Sequence, residues 1–152
     1  MQVTEYRLQD TGLKSQNPEA IAKRKGMQSY KDLEIYKIAH QLAVEIHKMT
    51  LEKLPKFEMF EEGSQIRKSS KSIPATIAEG FGRKQYQQEF IKFLTYAIAS
   101  LDETKEHLGL LQDTGSLAEK NLSQSLLVKY EELGKKIYRF RETVISRLGS
   151  KP

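Results

Sequence analysis

Three histidines, His40, His47 and His107, are the side chains best suited to acid–base or metal chemistry in this chain. A di-iron site in a helical bundle needs two Glu-x-x-His pairs and two further glutamates. Glu103 and His107 stand four apart instead, and no Glu-x-x-His occurs anywhere in the sequence. With no cysteine, thiolate catalysis, disulfides and zinc fingers are excluded. Gly80-Phe81-Gly82 is not a phosphate loop, because no Gly-Lys-Ser/Thr follows it. No catalytic residue, metal ligand or cofactor is therefore expected, and the chain reads as non-enzymatic.

What remains is chemistry of charge. Residues 64–84 carry Arg67, Lys68, Lys71, Arg83 and Lys84 against Glu79 alone. Residues 129–147 carry six basic side chains against Glu131, Glu132 and Glu142. Such stripes favour polyanions, and the first five cations are the candidate nucleic-acid-binding residues. Glu79 and Arg83 are also spaced to pair with each other around the Gly80–Gly82 turn. The competing reading is a solvated lysine-rich surface on a protein-interaction scaffold that recruits a protein partner.

These residues need elements to hold them. A length of 152 residues suits one domain, and 38% hydrophobic with 30% charged residues suits a helix-rich globular protein. Residues 1–29 are polar and lack an apolar period, so a flexible arm is expected there, with Lys23-Arg24-Lys25 as a small basic cluster. Four helical stripes follow. Ile35, Ala39, Leu42, Ile46 and Met49 form the first, with Asp32 as its expected N-cap and Pro55 as its break. Ile66, Ser70, Ile73 and Ile77 form the second, with Gly80 and Gly82 expected to end it in left-handed geometry. Pro74 lies inside this helix and predicts a kink, with Ser70 and Ser72 placed to bridge freed backbone groups. The third stripe runs from Phe90 through Leu94, Ala97, Leu101, Thr104 and Leu108 to Leu111, and the fourth from Leu126 to Val144. The expected fold is an all-α, antiparallel up-and-down four-helix bundle over residues 30–148, with a short tail at 149–152.

Two surfaces look too apolar or too small-sided for a lone bundle. Ile91 and Ile98, flanked by Tyr96, add a second apolar edge to the third helix. Ser69, Ala75 and Ala78 give the second helix a small-residue face that lets another backbone come close. Together they are the candidate interface between copies of the chain. No N-terminal segment resembles a signal peptide, and the most apolar window, 93–101, is too short to cross a bilayer. A cytoplasmic protein without a membrane partner is expected.

The run Ser72-Ile73-Pro74, with Ile77-Ala78-Glu79-Gly80 and Gly82-Arg83, resembles the signature block of four-helix-bundle proteins encoded in 23S ribosomal RNA intervening sequences. Tyr30-Lys31-Asp32-Leu33 resembles that family's opening, and Glu89, Phe90, Phe93, Leu94, Ser100 and Glu103 match its later elements. Thr76 stands where the family usually has Asn, Ala99 where it has Gly, and Tyr36 where Trp is common. Ser69-Ser70 replaces an Ala pair. The resemblance implies an all-α bundle that assembles as a ring-like homopentamer associated with RNA. It is also similar in architecture to accessory proteins of diversity-generating retroelements, basic pentamers that bind nucleic acid.

Overall fold

The computed structural model describes residues 29–149. All but one residue of the expected arm, the Lys23-Arg24-Lys25 cluster, and all but Gly149 of the tail lie outside them. Within the described residues the chain forms four α-helices and no strand: α1 (Glu34–Glu52), α2 (Glu62–Phe81), α3 (Gln87–Asp113) and α4 (Lys120–Gly149). Short 3-10 helices at Tyr30–Asp32 and Lys56–Phe60 precede α1 and α2.

Every member of the four apolar stripes is buried, so the heptad spacing places the core correctly. Phe90 joins three helices, meeting Phe81 of α2 at 6.4 Å and Phe140 of α4 at 5.5 Å, both edge to face. Burial of each such large side chain stabilises the fold by about 1.5–3 kcal/mol. Cross-helix pairs give the directions. Ser69 meets Thr104 and Ser72 meets Ser100. Thr95 meets Arg141, and Gln112 meets Ser123. Glu34 meets Lys136, and Glu45 meets Lys129. In each set residue numbers rise on one helix as they fall on the other, so these neighbours run in opposite directions. The result is a four-helix bundle.

Helix ends depart from the sequence reading in instructive ways. Asp32 does not cap α1. Ser29 caps the preceding 3-10 turn by accepting from the Lys31 N–H, and Asp32 accepts from the Ser29 N–H to complete a capping box. Helix α2 begins under Glu58, a buried glutamate whose carboxylate accepts from the Glu62 N–H at 3.0 Å and from the Ser116 hydroxyl. A carboxylate at a helix N-terminus satisfies an orphan donor and opposes the positive end of the dipole. Gly80 and Gly82 do not end α2 in left-handed geometry. Gly80 lies inside the helix, and Gly82 caps it at φ −65°. The only glycine with positive φ among the described residues is Gly115 (82°), which turns the chain after α3. There its N–H reaches the Gln112 carbonyl and the Leu117 N–H reaches that of Leu111.

Helix α2 continues through Pro74, whose ring is buried. The serines do not bridge the backbone group that the proline frees. Ser70 donates to the Arg67 carbonyl, and Ser72 spends its hydroxyl on Ser100 at 3.0 Å. With Ser69 and Thr104 meeting at 2.8 Å, small polar side chains form a hydroxyl seam between α2 and α3. Ser69 is thus 2% exposed and packed inside its own chain, which removes it from the candidate interface between copies.

Tyr130, fully buried on α4, has a hydroxyl with no protein hydrogen-bond partner. Burial, and secondarily Glu45, raises its pKa well above the ordinary value near 10. Because the neutral form is favoured in the fold, its contribution is complete below pH 10 and is lost as pH rises and the unfolded chain ionises. Tyr130→Phe removes a stranded hydroxyl worth about 1–3 kcal/mol of desolvation. It should therefore raise the thermal midpoint at pH 7 and flatten the loss of stability above pH 10. A lower midpoint in calorimetry at pH 7 would show that the hydroxyl is satisfied.

Candidate nucleic-acid interface

The five cations of the second helix region prove to have three different fates. Arg67 turns inward, half-buried, donating through Nη1 to the Thr50 hydroxyl at 2.9 Å and through Nη2 to the Met59 carbonyl at 2.6 Å. Those bonds tie the end of α1 and the 3-10 turn to α2. Its guanidinium is committed to structure, which corrects its assignment as a phosphate ligand. Arg83 lies at the α2–α3 turn between Glu79 (3.4 Å) and Glu89 (3.5 Å), with its guanidinium 4.9 Å from the centre of the Phe93 ring. These ion pairs are half-exposed and worth at most about 1 kcal/mol, so they brace the turn weakly. Glu79, at a helix C-terminus where the dipole disfavours it, is held by this partner.

Lys68 and Lys71 are different. Both are exposed on the outer face of α2, and neither has an ion-pair partner among the described residues. Lys84 reaches back over the Phe81 ring, 4.4 Å from its centre, and likewise pairs with no carboxylate there. The α4 stripe contributes less than its composition promises. Lys129 and Lys136 bridge to Glu45 and Glu34 of α1 at 3.2 and 3.3 Å, and Arg141 pairs with its neighbour Glu142 at 3.5 Å. Lys135 and Arg139 line a groove between α3 and α4 together with Glu131 and Asp102.

Lys71 also borders a second groove, about 520 Å³, between α1 and α2. Its floor is apolar: Ala43 and Val44 from α1, Pro74, Ala75 and Ala78 from α2. Tyr30, Tyr36, His40 and His47 wall it, and Lys48 faces Lys71 across it. Tyr36 stacks edge-on against Tyr30 at 4.9 Å and lies at 36° to His40, their centroids 5.7 Å apart. Tyr36 and His40 are also hydrogen-bonded, Oη to Nδ1 at 3.3 Å. The spacing of residues 36, 40, 43, 44 and 47 is a second helical face, and it was the available signal for this groove.

The candidate interface between copies does not form one patch. Ala75 and Ala78 line the α1–α2 groove, whereas Ile98 borders the groove between α3 and α4. Ile91 and Ile98 are partly buried against the core of their own chain. Tyr96 is exposed, edge-on to Phe93 at 5.5 Å.

His107 is the one histidine tied into the bundle. Its Nδ1 meets the Glu62 carboxylate at 2.8 Å and its Nε2 meets Glu103 at 3.3 Å, clamping the start of α2 to α3. The two carboxylates face opposite ring nitrogens and cannot converge on one ion. No His/Asp/Glu group suited to a metal occurs among the described residues, and none of their helices is long and apolar enough to cross a membrane.

A family model described as 23S rRNA-intervening sequence protein matches residues 31–139, more than half of the chain. No curated protein matches it.

Proposed function

The chain belongs to the 23S rRNA-intervening sequence protein family, and from that membership we propose that it is a non-enzymatic, RNA-associated helical bundle working as a homo-oligomer in the cytoplasm. The observation that carries the RNA reading is the unpaired state of Lys68 and Lys71 on the outer face of α2. Arg83, Lys129, Lys136 and Arg141 are ion-paired within the chain and Arg67 is spent on Thr50 and Met59, so a free pair on one face of α2 is a local excess of positive charge. Lys84 extends that excess towards the α2–α3 turn. Phosphates neutralised at such sites release counterions, and affinity then falls linearly with salt on logarithmic axes.

The assembly we read as a homopentamer, on the resemblance of the Ser72–Arg83 block, with Ile91, Tyr96 and Ile98 of α3 offered as its contact edge. A ring multiplies weak phosphate contacts, because each copy presents the same lysines to one RNA strand. Light scattering should give a mass of several chains at micromolar concentration; a monomer there rejects the assembly.

Lys68, Lys71 and Lys84 replaced together by Gln should weaken RNA binding and reduce the salt slope by roughly two, at about 0.7–0.9 per lost phosphate contact. Fluorescence anisotropy over a salt series measures both. Wild-type protein that binds no RNA at low salt, where this attraction is strongest, would leave the protein-recruiting scaffold as the better reading.

A further inference from the structure

Resting on the RNA reading, we propose that the groove between α1 and α2 takes unpaired nucleotides of RNA, bases against Tyr36 and His40 and phosphates on Lys48 and Lys71. The shape argues for a small flat occupant. At about 520 Å³ the groove falls in the range of small-ligand sites and is too small to admit a duplex. Its floor of alanines, Val44 and Pro74 offers no hydrogen bond, so it matches the face of a base rather than its edge. Faces are hidden inside a paired stem and become available only where bases are unstacked.

The walls supply what such a base needs. Tyr36 is held on one side by Tyr30 and on the other by its hydrogen bond to His40, so the ring pair is fixed before a ligand arrives. Aromatic faces beside cations are the general device of single-strand binding, since every base has a π-face and every nucleotide a phosphate. The charge is one-signed: Lys48 and Lys71 border the groove, and no carboxylate lines it. That balance suits a polyanion and gives an apolar helix of a second copy no charged anchor. Ala75 and Ala78 thereby pass from the candidate contact between copies to the floor of a nucleotide site.

The test compares a short oligouridine with an RNA duplex of equal length, using the full chain and fluorescence anisotropy. Wild-type protein should prefer the single strand by roughly tenfold, the scale of one stacked base. Ala75→Phe, at an exposed helix position, fills the groove without changing charge. It should abolish the preference while the salt-dependent attraction to duplex persists. Ultraviolet crosslinking of oligouridine to the unmodified protein should fall on the peptides carrying Tyr36 or Lys71, a readout independent of any variant. Equal binding of both RNAs, with crosslinks elsewhere, overturns the groove site and leaves the RNA reading standing. Unchanged preference in Ala75→Phe with an altered mass in light scattering overturns it in favour of a contact between copies. Absence of all RNA binding overturns both, and the low-salt titration of the lysine variant series identifies that case.

Discussion

Gly80→Ala should destabilise the bundle, while Gly82→Ala, two residues later, should not. A Cβ on Gly80 would sit 2.8 Å from the Cβ of Phe93 and 3.2 Å from Cδ1 of Phe90. Neither neighbour can yield easily. The Phe93 Cβ is fixed to the backbone of α3, and Phe90 is wedged between Phe81 and Phe140. Helices α2 and α3 must therefore move apart along the hydroxyl seam. Overpacking of this kind costs about 1–3 kcal/mol, against which alanine returns at most about 1 kcal/mol of helix propensity. The expected net effect is a fall of several degrees in the thermal midpoint. At Gly82 the added Cβ meets only ordinary contacts at 3.5 and 3.8 Å, and φ is already helical. That substitution should be neutral or stabilising by about 0.4–1 kcal/mol. Thermal unfolding followed by circular dichroism decides the matter, and equal midpoints for the two variants would reject close packing at Gly80.

Arg67→Gln should cost stability and spare RNA binding, the reverse of Lys68→Gln beside it. The guanidinium joins three elements through Thr50 and the Met59 carbonyl. Hydrogen bonds from a charged group contribute about 1.5–3 kcal/mol each, so about 2 kcal/mol or more should be lost. Arg67→Lys should rescue little, because one ammonium lacks the planar fork that spans both acceptors. In the folded fraction of Arg67→Gln the RNA affinity and its salt slope should equal those of the wild type. A slope reduced as much as in Lys68→Gln would return Arg67 to the phosphate-binding set.

The contrast between these neighbours shows what the sequence could convey. Apolar stripes are legible because each helix reports its own buried face through spacing, and all four stripes are buried as read. Arg67 and Lys68 carry the same charge in adjacent positions, and only Thr50 and Met59, contributed by other elements, separate their roles. The same holds for Gly80. Its position near a helix end suggested a backbone role, but Phe93 across the seam gives the actual reason for glycine. Glu58 was illegible for a related cause: its cap on α2 depends on a fold-back of the 3-10 turn and on Ser116 from the turn between α3 and α4. The capping box of Ser29 and Asp32, by contrast, is a local three-residue spacing and was open to reading.

The hydroxyl seam has a mechanical consequence. Two antiparallel helices mated through repeating apolar heptads can slide by one repeat, about 10 Å, and still present similar surfaces to each other. Ser69 with Thr104 and Ser72 with Ser100 act as a detent against that slippage. A slide of one heptad breaks both pairs, setting Ser69 against Ala97 or Leu111, and each hydrogen bond lost gives up about 0.5–1.5 kcal/mol. The seam adds little to cohesion compared with the leucines and isoleucines beside it, but it selects one axial setting of α3 along α2. Chains in which Ser69, Ser72, Ser100 and Thr104 are all alanine should remain compact and helical while sampling more than one setting, visible as doubled or broadened amide resonances along α3.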